Sequence, residues 1–546
     1  MIVGNKRFKD PIYGYIEIEE SLITQVVDLA EFQRLRDIIQ TSYSPLYSSA
    51  LHNRFVHSIG VHHLGRIAAE AFRKSITVRS LEIPEMIDQY IETFELACLL
   101  HDVGHAPFSH TGEQFYLYKG DRTRLHKMMA DLTGDADLEE EIRNEAYKAA
   151  PHELVSAIVA LQVFGNMISD DLKSFFARCI TGYKYTKCMN IDKSCKNCLI
   201  ELLNSKVIDV DKMDYLIRDS YVTGFDTVAI DYMRLLKSIY VEEEQGEYNI
   251  CFDKSAVSVI ENVVYAHDAE RKWIQNHPIV LYEAYLLENI MRRLIEEVFQ
   301  TENLPIESLL KEGITVERLG RVRLIGDSDI RYLMKNLQDD SFVDEYYCRK
   351  QRKHPLWKTE AEFQAIFQGE EKKLEFIEKE LSELKKCLTS LGLPFIINRQ
   401  ALNAVLEETK KIEKSISNAD DKERKRLEGT LRANQTHIKW INVFESFAEQ
   451  NKEELDFEFL ILYVDQFNSG FRKQEFENLE IIFPELRKPC RFREVTNVLK
   501  AEKSKGEKYF YIFYNRKKAK ETLSIAGLID SLLTLSTNAS VERRLV

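Results

Sequence analysis

Residues that interrupt helices are scarce in this chain: 11 prolines and 21 glycines in 546 residues. With long stretches of helical spacing between them, that scarcity leaves a mainly α class. No apolar run approaches the roughly 20 residues needed to span a bilayer. The N-terminal MIVGNKRFKDPIYGYIEIEE also lacks the apolar core of a signal peptide, so no membrane partner is expected. Nine cysteines form an odd, scattered set, which speaks against a disulfide framework and for a reducing cytoplasm. Positive charge is not in excess either. The 75 Lys and Arg against 88 Asp and Glu give −13, which argues against a general nucleic-acid coat while leaving room for a local basic patch. What is present, 44% hydrophobic and 30% charged residues, describes a soluble globular protein. Its length exceeds one compact core, so two or three domains, or one large helical domain with an appendage, are expected.

The alternation in KRFKDPIYGYIEI predicts a short hairpin or extended arm, and EFQRLRDIIQ a helix. Helical spacing follows in FVHSIGVHHLGRIAAEAFR and over 86–101. Residues 120–150, polar and acidic, are expected to be a loop or lid-like insertion. Helical signals resume at HELVSAIVALQVF and KVIDVDKMDYLIRDSY, a strand pair is expected around SIYVEEEQGEYNICF, and a long helical stretch over 254–300. Leu374, Ile377, Leu381, Leu384, Leu388 and Leu391 form a seam of under three heptads, interrupted by Gly392 and Pro394, which reads as a helical hairpin. LEIIFPEL and KYFYIFY read as strands.

The stretch LLHDVGHAPFSHTGE follows the apolar FELACLL with His101, Asp102, His105 and His110 in ten residues. A single His on an apolar face is ordinarily a satisfied core residue. A divalent metal, by contrast, wants imidazole and carboxylate donors held by a second layer of partners. His101 and Asp102, adjacent, point about 100° apart on a helix end, so they share an ion only with donors from other helices. His57, one turn before Val61, and Asp211, on a helix whose positions 211, 215 and 219 share a face, stand out. Alone, His57 reads as a core or capping histidine and Asp211 as a partner for a lysine. The ordered set H…HD…D is harder to reach by accident.

RFVHSIGV, LLHDVGHAPFSHTGE, PHELVS and IDVDKMDYLIRDSYVTG, with DPIYGYIEI, EFQRLRDIIQ and ALHNRFVHS, resemble the successive motifs of the HD-domain deoxynucleoside triphosphate triphosphohydrolases. The resemblance runs from about residue 6 to 300 and more faintly to about 365. It implies an HD-domain helical core with small β elements over 1–365, carrying a Cys-rich insertion at 179–198. Past it, a charged helical hairpin is expected over 366–454 and a small α+β region of unknown role over 455–546.

The resemblance implies that His57, His101, Asp102 and Asp211 ligate one divalent metal, with Mn, Fe, Zn and Mg all acceptable to such donors. It further implies hydrolysis of a dNTP, carried with Mg, to deoxynucleoside and triphosphate. His110 and Glu113 match the pair that activates the nucleophile, and His105 and His152 match histidines near the phosphates. Arg54 and Lys212 would neutralise phosphate charge. Gln40, Tyr215 and Asp219 would read the deoxysugar. Lys6, Asp28, Gln33 and Arg36 match residues that hold a GTP or dGTP activator in regulated, homo-oligomeric members (dimer, tetramer or hexamer). The plain alternatives are a loop-ordering His110, a core Tyr215, a surface-paired Asp219 and a merely structural FQRLR helix. Separately, Cys188, Cys195 and Cys198, with Cys179 upstream, have spacing that suits a structural zinc, against a default of unpaired thiols. Two rival functions stand beside the first. One is an HD phosphohydrolase or phosphodiesterase on another nucleotide, such as guanosine tetraphosphate or an oligonucleotide. The other is a nucleotide-sensing or nucleic-acid-binding scaffold.

Overall fold

Alternating residues in NKRFKD and GYIEIE pair as an antiparallel hairpin of β1 (Asn5–Asp10) and β2 (Gly14–Glu19), closed by Gly14 at φ 80°. This is the expected N-terminal arm. The computed structural model describes residues 4–113, 122–144, 149–187, 189–225, 228–300, 309–316, 320–337, 341–417, 419–464, 476–486, 489–500, 509–517 and 523–542. The chain divides into two compact units, Met1–Val343 with Asn468–Ser504, and Asp344–Phe467 with Lys505–Val546. The architecture is mainly α with small sheets.

Four helices of the first unit position the site. α1 (Arg54–Val78) starts where the Asn53 side chain accepts from Val56 N at 3.2 Å, and buries His57, Val61, Leu64, Ala68 and Phe72 along one face. α2 (Ile87–Leu100) is apolar almost throughout its buried side and packs on α1. α3 (Pro151–Phe164) opens on Pro151, and Glu153 reaches back to accept from Ala150 N at 2.5 Å. α4 (Val210–Thr223) is capped by Asp209, which accepts from Lys212 N at 2.7 Å, and stops at Gly224 with φ 66°. α4 lies so close on α1 that a Cβ on Gly60 would sit 2.0 Å from Asp214 Oδ1. Only glycine fits there.

Three local expectations change. Residues 120–150 are not a loop where described: helices Arg122–Thr133 and Ala136–Asn144 occupy them, burying Leu125 with Met129 and Leu138 with Ile142. A polar composition masked two narrow apolar stripes at four-residue spacing. EFQRLRDIIQ is a short α-turn, Ala30–Gln33, followed by a 3₁₀ turn, Arg34–Asp37. The chain then extends because Ile39 forms a β-bridge with Asn53. The 254–300 stretch is broken between Val257–Glu270 and Pro278–Arg293, where Pro278 has no N–H to continue a helix. The strand pair Ile239–Glu244 and Glu247–Asp253 forms as expected, and Glu480–Ile482 adds to it in parallel.

In the second unit the seam lies on helix Glu371–Ser390, with Ile377, Leu381, Leu384 and Leu388 buried. Helices Arg399–Ile416 and Asp421–Gln450 pack on each other. Its sheet runs His354–Pro355, Tyr509–Arg516, Leu455–Val464, Ile396–Asn398, all antiparallel. Among the described residues no helix is long and apolar enough to cross a membrane.

Candidate metal centre and histidine cluster

Donors from three helices meet where α2 ends. His57 Nε2 lies 2.9 Å from Asp211 Oδ1, 3.5 Å from Asp102 Oδ2 and 3.2 Å from His101 Nε2. His101 Nε2 lies 3.5 Å from Asp102 Oδ2 and 3.6 Å from Asp211 Oδ1. Atoms bound to one ion at about 2.1 Å stand about 3 to 3.5 Å apart, so these separations match a shared coordination shell. The opposite edge of each imidazole is fixed. His57 Nδ1 faces Asp214 Oδ2 at 2.8 Å, and His101 Nδ1 faces the Cys98 carbonyl at 2.9 Å. With each Nδ1 paired on its own side, each Nε2 turns toward the carboxylates, where a cation would take the place of a proton. His57, His101 and Asp211 hold their ligand atoms within 4.8 Å of one another, with Asp102 beside two of them, a set that suits a divalent cation.

Asp214 was not singled out in the sequence, yet it orients His57. It is buried, takes two bonds from Arg218 (Nε 2.8 Å, Nη2 2.9 Å), and Arg218 Nη1 continues to Asp10 Oδ2 at 3.0 Å. The signal was present in IDVDKMDYLIRDSY: an acid three residues after Asp211 with an arginine four further on. Burial opposes charge on His57, but hydrogen bonds to Asp211 and Asp214 outweigh it and raise its pKa to about 9. Burial likewise opposes charge on Asp102, yet Arg54, His101 and His105 hold its carboxyl well below the usual range.

A second group of imidazoles lies beside the first. Glu113 Oε1 accepts from both His110 Nδ1 (2.6 Å) and His152 Nδ1 (2.7 Å), and His105 Nε2 lies 3.3 Å from Asp102 Oδ1. The His105 and His152 rings stack at 4.5 Å and 17°. His110 meets both rings edge-on, and the three imidazoles hold ring nitrogens within 4.8 Å of one another, close enough to share a proton or an ion. Burial would raise Glu113, but its two histidine bonds hold it far below the usual carboxylate range. Those same bonds raise His152 against its burial.

The remaining candidate residues fall into place unevenly. Arg54 is buried and wholly engaged: Nη1 on Asp102 Oδ2 (2.8 Å), Nε on Ser109 Oγ (2.9 Å), Nη2 on the Gln40 carbonyl (3.2 Å). Lys212 Nζ bonds Asp209 (2.5 Å) and the Ser205 carbonyl (2.8 Å). Tyr215, half-buried, and Asp219, buried, share the Asp211 face of α4, and Asp219 Oδ1 lies 2.7 Å from His52 Nε2. In the N-terminal region Lys6 Nζ is 3.9 Å from Asp28, while Gln33 bonds both the Val27 carbonyl (2.6 Å) and Arg36 (2.9 Å). Cys188 lies outside the described residues. Cys179, Cys195 and Cys198 are buried free thiols, and no cysteine joins a ligand group among the described residues.

The HD domain family model matches residues 54–196, the segment that contributes His57, His101 and Asp102. That segment is thus similar to HD domains. The chain is 28% identical over 353 residues to an uncharacterized protein of Methanocaldococcus jannaschii, covering 62% of this chain and 61% of that protein. It is 30% identical over 283 residues to the deoxynucleoside triphosphate triphosphohydrolase SAMHD1 homolog of Dictyostelium discoideum, covering 50% of this chain and 47% of that protein. The matches therefore span less than two thirds of either relative. A crystal structure of a hypothetical protein from Aquifex aeolicus aligns over 97% of this chain and 100% of its own, with TM-score 0.51 and 16% identity, a likeness of fold.

Proposed function

We propose that the protein is a metal-dependent hydrolase of deoxynucleoside triphosphates, releasing deoxynucleoside and inorganic triphosphate. The observation that carries this reading is the convergence of His57, His101, Asp102 and Asp211 beside a histidine–carboxylate cluster, and the relatives named as triphosphohydrolases support it. A divalent cation held by those four residues would supply Lewis-acid polarisation of phosphate and acidify water.

The chain's own residues account for the rest. Glu113 fixes the Nδ1–H tautomer of His110 and His152, leaving each Nε2 to take or give a proton. His110 Nε2 serves the attacking water, and His152, whose pKa is raised, holds a proton for the departing 5′-oxygen. Arg54 keeps Asp102 ionised and oriented from within the wall. Lys212 lies one residue from Asp211 and neutralises phosphate by exchanging its Asp209 contact. Tyr215 packs where a 2′-hydroxyl would sit, and Asp219 with Gln40 takes the 3′-hydroxyl. Lys6, Asp28, Gln33 and Arg36 form the place for a guanine nucleotide activator in a homo-oligomer.

Metal-loaded protein incubated with each dNTP and NTP, singly and mixed, tests the reading. Deoxynucleoside plus tripolyphosphate is expected; monophosphate plus pyrophosphate, or turnover of ribonucleotides alone, rejects it. Activity in mixtures that exceeds the sum of single dNTPs would mark activation.

A further inference from the structure

A cavity outside the metal centre carries polar groups that the hydrolase reading does not use. It holds about 370 Å³, within the roughly 300 to 1,000 Å³ of small-molecule sites. Its lining comes from α1, α2, the end of β2 and the 3₁₀ turns Gly165–Met167 and Asp170–Leu172, and none of the four candidate metal donors is part of it.

His62, only 1% exposed, belongs to that lining. Its Nδ1 lies 3.0 Å from the Glu95 carbonyl, which can only accept, so Nδ1 carries the proton. Nε2 is left as a lone pair, and none of the described residues bonds it. Burial keeps the ring neutral, its pKa pushed down to about 4. The Glu95 carboxylate lines the same cavity without a hydrogen bond, Arg66 Nε standing 3.9 Å away. Burial above all, with the charges of Glu19 and Glu92 working against Arg66, pushes that carboxyl up to about 7.

An acceptor lone pair and an unbonded carboxylate in one concave lining call for a cation that carries hydrogen-bond donors. Arg66, the only Lys or Arg of the lining among the described residues, spends Nη1 on the Glu17 carbonyl at 2.8 Å. A bare metal ion is a poor match, because His62 and Glu95 join no group of three donors among the described residues. An ammonium matches, since it brings three N–H groups, enough for both acceptors. Leu96, Ile168 and Leu172, buried in the same lining, suit a methylene chain. Glu19 and Glu92, exposed, supply charge for a second ammonium.

We propose that this cavity binds a linear aliphatic diamine or polyamine, with one ammonium on Glu95 and His62 and another on Glu19 and Glu92. The assignment stands apart from the hydrolase reading and does not depend on which nucleotide is cleaved.

Calorimetric titration of the full chain, free of nucleotide, with spermidine tests it, beside butylamine and magnesium chloride at matched ionic strength. Saturable binding at one site per chain is expected, at least about tenfold tighter than butylamine and not displaced by magnesium. Glu95→Gln should weaken it at least about tenfold, and His62→Phe, which keeps an aromatic ring but removes the lone pair, should weaken it as well. Glu92→Gln, an exposed change that leaves the fold alone, should weaken spermidine several-fold and butylamine hardly at all. No saturation in the wild type, butylamine binding as tightly as spermidine, or displacement by magnesium would overturn the proposal. So would spermidine affinity unchanged in Glu95→Gln, or in Glu92→Gln should the buried variant fail to fold.

Discussion

His57 makes the strongest demand on its surroundings of any single residue in the centre. Its Nε2 faces two carboxylates only because Asp214 claims Nδ1, and Asp214 is itself held by Arg218. Asp214→Ala is expected to lower divalent-metal affinity about 10- to 100-fold while the four donors remain, measured by calorimetric titration of the metal-free protein. Glu113 and His152 give a pH signature. His152 is raised from 6.5, so its contribution to stability is complete below that value and fades as pH climbs through the raised pKa. Glu113 is lowered from 4.5, so its share is present above that value and fades as pH falls through the lowered pKa. The Tm gap between wild type and Glu113→Gln should therefore be widest between pH 4.5 and 6.5 and narrow on the alkaline side.

At the scale of elements, the turn that delivers His110 is strained and clasped. Phe108 and Ser109 sit at φ 59° and 52°, the left-handed region that costs a non-glycine residue about 1 to 2 kcal/mol. The turn is held from elsewhere in the chain: Asp327 accepts from Phe108 N at 2.7 Å and Ile39 N at 3.1 Å, and Arg34 bonds the His105 carbonyl at 2.8 Å. Ser109 Oγ donates to the Ile39 carbonyl at 2.5 Å. Asp327→Ala strands the buried Phe108 N–H, at about 1 to 3 kcal/mol, and frees the part-buried Ile39 N–H as well. Faster amide exchange across 105–113 and 36–41, with the rest of α1 unchanged, is expected by mass spectrometry, and unchanged exchange in those peptides would show that the clasp holds nothing.

On the scale of the whole molecule, the first unit is made of chain that leaves at Val343 and returns at Asn468, and the returning Glu480–Ile482 completes a sheet begun at Ile239. The candidate metal centre draws on α1, the end of α2, and α4, so an ion there would tie together segments separated by up to 154 residues. Binding to the folded state alone stabilises it, by about 2.7 kcal/mol when free ion is a hundred times Kd. Thermal unfolding of metal-stripped protein should shift upward on adding Mn or Zn, and Asp211→Ala should abolish the shift. A shift that survives in Asp211→Ala would place the ion elsewhere.

Much of this was readable from residue order. The candidate donors His57, His101, Asp102 and Asp211, the shared 211–215–219 face and the mainly helical class stand out in residue order, because helix periodicity and ligand chemistry are properties of short segments, while the ligand roles came from the family resemblance. The partners that orient and clasp those groups were not readable: Asp214 against His57, Asp327 against Phe108, His52 against Asp219, the helices hidden in 122–144. Each is a contact between segments far apart in the chain, or a stripe too narrow to announce itself. Which lone pair faces an ion and which carboxylate faces a backbone N–H were decided when the helices packed, since only packing brings such distant atoms within hydrogen-bonding reach.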